Sequence, residues 1–279
     1  MTNVPAAPAD DRLKPIHLEE VFKKKNPKLF CWIPGFAFSG IKRLVCLREI
    51  NDFIEKYGDR KGLDFADAVM EYLHLSFRTE GEEHLPPAGG RYIFVSNHPL
   101  GGPDGIALIS FLGRYYAELK FPVNDLLMNL RNLNNIFLPV NKHGRQAKEA
   151  VREIEKAYAS DAQIIMFPAG LCSRKTKGVI CDPAWQKNFV AEAVKHHRDI
   201  VPLFISGQNS DLFYNMANFR KRTGIRANLE MILLPRETFR KKNAFLTIKI
   251  GRPIPWQSLD KSKTPREWAE TIRQLVYRL

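Results

Sequence analysis

The pattern of hydrophobic and polar positions changes near residue 85. Residues 13–80 favour helices, and within 63–75 apolar side chains recur at helical spacing, at Phe65, Val69, Tyr72 and Leu73. Beyond residue 85, short apolar runs alternate with longer amphipathic segments. Residues 1–12 are predicted to form a flexible tail. The change in the spacing of apolar residues near residue 85 predicts that a mostly helical part is followed by a part of different architecture.

That later part has the strand–helix alternation of an α/β protein. Four apolar runs have the length of a strand, at 92–95, 136–140, 164–167 and 200–205, and the amphipathic segments between them are 104–118, 144–160 and 183–198. Because such alternation is typical of strands joined by helices, it predicts a mixed, largely parallel sheet flanked by helices. Two more strand-like runs follow at 229–234 and 245–250, and the last helix begins at a capping sequence formed by Thr264, Pro265 and Glu267.

The chain is strongly basic, with 43 Lys or Arg against 30 Asp or Glu and a formal net charge of +13. Such an excess favours an anionic partner, either nucleic acid or an anionic membrane surface. Nine bases and two acids lie in residues 12–48, and ten bases and two acids lie in residues 220–252. These two stretches therefore carry the whole excess.

Aromatic side chains lie among the cations of the first stretch. Lys23, Lys24 and Lys25 precede an apolar run that contains Phe30, Trp32, Phe36 and Phe38. The uncharged run, 29–41, has 13 residues and is interrupted by a Pro-Gly pair, so it is too short to span a bilayer and suits a shallow interfacial anchor. The alternative is a helix that packs against the core through the same aromatics.

These features predict two parts: residues 1–80, a tail and a basic helical segment that associates with a membrane, and residues 81–279, the α/β domain. The first 20 residues lack the apolar run of a secretory signal, so we expect a peripheral protein at the cytoplasmic face of a membrane. The four cysteines are widely spaced without a C-x-x-C pair, which disfavours a disulfide framework and a zinc ribbon.

The loop after the first predicted strand, residues 96–105, has the composition of a catalytic site. Its sequence is SNHPLGGPDG, in which His98 can act as a general base and Asp104 can orient it. Glycines allow close approach of a ligand, and prolines stiffen the loop. The alternative is an ordinary turn. The carboxyl ends of parallel strands meet at one edge of a sheet, where ligands usually bind.

Three other turns are expected at the same edge. Residues 167–175, FPAGLCSRK, bring Ser173, Arg174 and Lys175, and the two cations suit a phosphate or carboxylate, unless they form only a solvated basic loop. Residues 136–145 bring Lys142 and Arg145. Residues 200–207 form a strand with an internal proline, which indicates an edge, a strand start or a bulge. Cys172 matches no cysteine-protease pattern, so we expect it to pack.

Taken in order, these segments resemble the lysophospholipid acyltransferases, the glycerolipid acyltransferases of phospholipid synthesis. That family has N-H-x-x-x-x-D, a strand ending near an arginine, F-P-E-G and a V/I-P-[VLI] strand. The matches here are Asn97-His98 with Asp104, residues 136–142, Phe167-Pro168-Ala169-Gly170, and Val201-Pro202-Leu203, and the resemblance covers about residues 85–255. Three departures stand out. Five residues, not four, separate His98 from Asp104, Ala169 replaces the glutamate, and the second motif lacks its arginine, for which Lys142 or Arg145 can substitute.

The resemblance implies transfer of an acyl group from a thioester, acyl carrier protein or coenzyme A, to a lipid hydroxyl, with no other cofactor and no metal. His98 would deprotonate the hydroxyl and Asp104 would orient His98. It also implies that Asn97, Phe167, Pro168, Gly170 and Ser173, with the four cations Lys142, Arg145, Arg174 and Lys175, bind substrate. The basic stretch 220–252 would extend the membrane face or dock the acidic carrier protein, unless it is only a solvated surface.

The departures and the Gly-rich loop resemble a subgroup that O-acylates bacterial amino-acid lipids such as glycine or ornithine lipids, at the inner membrane. The acceptor there is a 3-hydroxyacyl amide with a carboxylate head group. The alternative acceptor is 1-acylglycerol-3-phosphate. A nucleic-acid-binding protein is disfavoured because no zinc-finger or RNP motif is present, and a Ser/His hydrolase because no G-x-S-x-G elbow is present.

Overall fold

The computed structural model describes residues 12–25, 34–124, 127–140, 145–225 and 227–279. A seven-stranded sheet lies at its centre, and a two-stranded hairpin stands beside it. The strands are β1 Ser76–Glu80, β2 Tyr92–Ser96, β3 Leu119–Val123, β4 Phe137–Pro139, β5 Gln163–Met166, β6 Arg174–Thr176, β7 Val179–Cys181, β8 Asp199–Ile205 and β9 Phe245–Ile250.

The sheet has the order β1-β9-β8-β2-β5-β3-β4, and every neighbouring pair is parallel except β8 and β9. This confirms the prediction of a mixed, largely parallel sheet. Strand β2 lies between β8 and β5, so the loop after β2 emerges near the middle of the carboxyl edge. The hairpin pairs β6 with β7 in antiparallel register.

Helices cover both faces of the sheet. They are α1 Leu18–Lys25, α2 Gly35–Leu44, α3 Leu47–Tyr57, α4 Gly62–Tyr72, α5 Pro103–Leu112, α6 Arg145–Ala159, α7 Asn188–His196, α8 Asp211–Arg222, α9 Leu234–Phe239 and α10 Pro265–Val276. Side chains of β2 alternate between the two layers: Tyr92 and Phe94 pack with α3, α4 and α5, whereas Ile93 and Val95 pack with α6, α7 and α10. The capping box of α10 forms as predicted.

Several elements differ from the sequence predictions. Strand β1 lies in the stretch predicted to be helical, and β3 and the hairpin were not predicted. The apolar run 229–234, predicted as a strand, forms a 3-10 helix, Leu229–Leu233, that leads into α9. The reason is visible in its burial, because the two buried residues, Glu230 and Leu233, are three apart and not two.

Pro202 lies in an interior strand and not at an edge. On one side it faces β2, and on the other Gly251 donates its N–H to the Pro202 carbonyl at 2.8 Å. Leu203 pairs with Ile250, and Ile200 pairs with Ile254. Between these two pairs, the segment that follows β9 has three residues where β8 has two. Of the three predicted settings for this proline, the structure has the bulge.

Arg198, just before β8, is fully buried and binds only backbone carbonyls among the described residues. It donates to Tyr158, Ala157, Ala162, Tyr92 and Ser160, four of them at or beyond the end of α6. A cation is favourable there because the last carbonyls of a helix carry partial negative charge and have no partner within the helix. Burial lowers the pKa of Arg198 to about 10.

The N-terminal segment combines confirmed and corrected elements. Helices α1 to α4 confirm that the stretch before residue 76 is mostly helical. Phe38, expected at a membrane interface, is 5% exposed because its ring packs inside the protein, which is the alternative that the sequence left open. Lys23 is exposed on α1, Lys24 and Lys25 lie in α1, and Phe36 lies in α2. Phe30 and Trp32 lie outside the described residues.

The division of the chain at residue 81 stays a prediction. Strand β1 lies on the N-terminal side of that boundary and forms one edge of the sheet. Within the described residues, none of the helices has the length and apolar character needed to cross a bilayer.

Candidate active site

The loop after β2 brings His98 and Asp104 together. His98 Nδ1 lies 2.9 Å from Asp104 Oδ2. The two residues are separated by five others, and the extra length is taken up at Gly101, whose φ is +89°. A Cβ at Gly101 would lie 2.6 Å from Cys172 Sγ and 2.8 Å from a Leu234 methyl, so only glycine fits.

The Asp104 carboxylate is fully buried at the first turn of α5 and is fixed by the loop backbone. Its Oδ2 accepts the N–H groups of Leu100 at 2.8 Å and Gly101 at 3.2 Å, and its Oδ1 accepts that of Gly105 at 2.9 Å. A carboxylate only accepts hydrogen bonds, so His98 Nδ1 must carry the proton that it donates. In the neutral ring, Nε2 then has the free lone pair and can accept a proton.

The pair is electrostatically coupled. Burial lowers the pKa of His98, but the Asp104 carboxylate and the Cys172 thiol raise it by more, and the net shift is well upward. Burial raises the pKa of Asp104, but His98 and the loop N–H groups lower it by more, and the net shift is downward. The arrangement therefore favours a charged pair, with a histidine more basic than usual.

The imidazole of His98 is 15% exposed and stacks on Phe167, with ring centroids 4.0 Å apart and planes at 18°. Phe167 directly follows β5 and begins the FPAG turn, so this turn helps to hold the His98 ring in place. Cys172 is 3% exposed and packs with Phe213, Tyr214 and Leu233, and its thiol lies beside the His98 ring.

Asp182, which the sequence analysis missed, fixes the main chain of His98. Its carboxylate accepts the His98 N–H at 3.2 Å, the Ser173 hydroxyl at 2.6 Å and the Trp185 indole N–H at 3.0 Å. The Asp182 N–H donates to the Tyr277 hydroxyl at 2.7 Å. The sequence signal was an acid in an otherwise apolar segment just after β7, CDPAW, but this segment resembles none of the motifs.

Asn97 has a supporting position. Its amide donates to the Ile205 carbonyl at 2.9 Å and accepts the Ile205 N–H at 2.7 Å, and its side chain is 2% exposed. It thus joins the carboxyl ends of β2 and β8. Ser173 is also 2% exposed, and its N–H donates to the His98 carbonyl at 2.8 Å. For both residues, contact with substrate stays a prediction.

The FPAG turn places its members differently. Pro168 is buried, and Gly170 is exposed with φ of +65°. Ala169 is 5% exposed and packs with Trp185 and Leu138, so the position taken by glutamate in the family motif belongs to the core here.

The two predicted cations of this turn already have acidic partners. Arg174 Nη2 lies 2.8 Å from Glu230, which is fully buried and is also bound by Arg220. Lys175 Nζ lies 2.7 Å from Asp211. Both cations therefore form ion pairs within the protein, and binding of a substrate anion by them stays a prediction. Lys142 lies outside the described residues, and Arg145 is the first residue of α6.

The fold and the histidine–aspartate loop define an acyltransferase-like protein, and comparison with known proteins agrees. A family model described as acyltransferase matches residues 20–279, so the chain belongs to the acyltransferase family.

Two similar proteins are both called lyso-glycine lipid O-acyltransferase. The one from Bacteroides thetaiotaomicron is 47% identical over 97% of this chain and 99% of its own length. The one from Phocaeicola vulgatus is 44% identical, over 97% of each. A solved structure, the 1-acyl-sn-glycerophosphate (LPA) acyltransferase PlsC from Thermotoga maritima, superposes with a TM-score of 0.48 at 19% identity and covers 87% of this chain and 92% of its own.

Proposed function

We propose that the protein transfers a fatty acyl group from a thioester to the hydroxyl of a lyso-glycine lipid. The observation that carries this proposal is the buried His98–Asp104 pair at the carboxyl edge of the sheet. The similarity of the whole chain to two lyso-glycine lipid O-acyltransferases supports the choice of acceptor.

His98 Nε2 takes the proton of the acceptor hydroxyl as its oxygen attacks the thioester carbonyl. The carbon–sulfur bond then breaks, and the proton passes from His98 to the departing thiolate, which leaves as acyl carrier protein or coenzyme A. Asp104 holds the ring and stabilises the imidazolium that forms between these steps. A base positioned in this way contributes about 10²–10⁴-fold to the rate.

The acceptor carries a carboxylate and not a phosphate. The turn that follows β5 supports this assignment, because Ala169 packs into the core and leaves no carboxylate to place a glycerol phosphate in the way that the family resemblance implies. The proposal therefore separates this protein from acylation of 1-acylglycerol-3-phosphate.

The protein works as a peripheral protein at an anionic, cytoplasmic membrane face. Helix α8 supports this placement, because its outward face carries Leu212 and Phe219, 45% and 62% exposed, next to exposed Lys221 and Arg222. The 3-10 helix Leu229–Leu233, which packs along α8, adds exposed Leu229 and Ile232. Apolar side chains interleaved with cations suit the interface of an anionic bilayer.

This surface lies close to the active-site loop. Helix α8 begins directly after the loop in which Asn209 donates to the Leu100 carbonyl, at 3.3 Å. A lipid acceptor whose chains stay in the bilayer would therefore have a short path to His98. We expect Phe219→Ser to weaken binding to anionic vesicles several-fold, whereas Val151→Ser, an exposed valine on α6, leaves binding unchanged.

The decisive experiment offers the purified protein a labelled acyl carrier protein, or labelled acyl coenzyme A, with lyso-glycine lipid and 1-acylglycerol-3-phosphate as competing acceptors. We expect label in the glycine lipid and its loss in His98→Ala, with the fold of the variant checked by thermal unfolding. Preferential labelling of the phosphate lipid, or near-normal turnover by a folded His98→Ala protein, would refute the proposal.

A further inference from the structure

A second cluster of reactive side chains lies away from His98, between helices α6 and α7. It consists of Glu155 from α6 and of Glu192 and His196 from α7. The last two are four residues apart and so share one face of α7. Both helices end here, just before β5 and β8, so the cluster lies at the amino edge of the sheet, opposite the active site.

The three groups converge through single atoms. His196 Nε2 lies 3.3 Å from Glu155 Oε2 and 3.3 Å from Glu192 Oε2. Although these atoms are close, neither His196 Nε2 nor Glu192 Oε2 has a hydrogen-bond partner among the residues that the structure describes, and both atoms are buried. The other oxygen of Glu155 is bound by Lys195 at 2.6 Å, which leaves Oε2 facing the cluster.

The two separations fit ligands around one small metal ion. Zinc binds histidine nitrogen and carboxylate oxygen at about 2.0–2.2 Å, and tetrahedral ligands at such lengths are about 3.3–3.5 Å apart. A hydrogen bond would be shorter, at about 2.7–3.2 Å, and aligned. The histidine and two glutamates, with one open position, also match the three protein ligands that zinc commonly takes.

A buried hydroxyl supplies an independent observation. Tyr158 is 2% exposed, and its hydroxyl has no hydrogen-bond partner in the described part of the chain. Its ring stacks on His196, with centroids 5.6 Å apart and planes at 21°, and its hydroxyl interacts electrostatically with Glu192 and Glu155. A buried hydroxyl without a partner costs free energy, and a water on a metal would provide one.

We propose that Glu155, Glu192 and His196 bind a zinc ion, with the Tyr158 hydroxyl as the partner of a water in the fourth position. The ion joins the ends of α6 and α7 at the edge of the sheet that is remote from the acyl-transfer chemistry. The proposal does not depend on the proposed function.

The test uses the full chain, stripped of metal by a chelator and then titrated with Zn²⁺ alone. We expect one zinc per chain by elemental analysis, a rise of the thermal midpoint on loading, and intense visible absorption of tetrahedral type when Co²⁺ replaces zinc. In His196→Ala and Glu192→Gln we expect the affinity to fall more than about 100-fold, since loss of an outer-shell partner alone costs about 10–100-fold. Tyr158→Phe should show that smaller loss.

The matched control is Glu153→Gln, which changes an exposed glutamate two residues from Glu155 that pairs only with Lys156 among the described residues. It should bind zinc like the unaltered protein. Glu192→Gln keeps the size of the side chain. If His196→Ala does not fold, the zinc affinity of Glu192→Gln therefore decides the test. Failure of the unaltered protein to bind zinc, or an affinity in His196→Ala and Glu192→Gln equal to that of the unaltered protein, would overturn the proposal.

Discussion

Replacing Asp104 with asparagine tests the centre of the proposed mechanism, because it keeps the shape of the side chain and removes its charge. The carboxylate accepts four donors, the ring N–H of His98 and the backbone N–H groups of Leu100, Gly101 and Gly105. An amide has a single acceptor oxygen. Whichever way it is turned, its NH₂ group faces at least one buried N–H.

This lost partner sets the expected effect on stability. Leaving one buried donor unsatisfied costs about 1–3 kcal/mol, which lowers the thermal midpoint by roughly 2–10 °C for a chain of this size. The rate should fall by about 10²–10⁴-fold, because the imidazolium that forms during transfer loses its counter-charge.

The pH dependence supplies a signature that a fold defect would not. His98 acts as a base only when neutral, so kcat/KM rises with pH through the pKa of His98, which Asp104 holds above its usual value. Without that charge burial dominates, the pKa falls, and the acid limb moves to lower pH.

Stability follows the same linkage. Asp104, whose pKa is lowered, stabilises the fold above its ordinary pKa, and this contribution is lost as the pH falls through its folded value. His98, whose pKa is raised, stabilises the fold below its ordinary pKa, and this contribution is lost as the pH rises through its folded value. The stability difference between the two proteins should therefore be largest between about pH 4 and 6.5.

The assay is acyl transfer to lyso-glycine lipid from acid to mildly alkaline pH, with thermal unfolding in the same buffers. Asp59→Asn, at an exposed position, is the control for loss of one negative charge. A folded Asp104→Asn protein that turns over normally, or whose acid limb does not move, would show that the two side chains do not act as a pair.

Three other predictions concern residues that hold the site or the sheet. Gly101→Ala should lower stability and activity together, since its Cβ would meet Cys172 and Leu234, whereas Gly178→Ala, also at positive φ but in open space, should carry only the backbone strain of about 1–3 kcal/mol; equal losses would refute the clash. Asp182→Asn should lower kcat with little change in KM, because it releases the His98 main chain without touching the acceptor; a change confined to KM would contradict this. Arg198→Leu should lower the free energy of unfolding in urea, by about 1–3 kcal/mol for a buried carbonyl left without a partner, and an unchanged midpoint would argue against that role.

The sequence could predict what periodicity and local composition encode. The runs around β2, β5 and β8 are apolar throughout because both faces of these strands are buried, so these strands and the largely parallel character of the sheet could be predicted. Strand β1 was missed because its edge position leaves SFRTE polar and half exposed. The 3-10 helix at Leu229–Leu233 was misread because a short apolar run has no period of its own.

In the candidate site, too, contacts within one loop could be predicted from the sequence, whereas contacts between distant segments could not. His98 and Asp104 lie in one loop, so local sequence suffices to pair them, and the glycine at 101 absorbs the extra residue. Asp182, Tyr277 and the His98 main chain come from segments far apart in the chain, and no local pattern records their contact. Arg174 looked free in sequence because Glu230, its partner, is 56 residues away.

The hydrogen bond from Asp182 to Tyr277 has a consequence for when the protein becomes active. Helix α10, which ends one residue before Tyr277, emerges from the ribosome long after the His98 loop. A nascent chain that stops short of residue 277 lacks the hydroxyl that accepts the Asp182 N–H next to the His98 main chain. We therefore expect full acyl transfer only after residue 277 has been synthesised and has packed against Asp182.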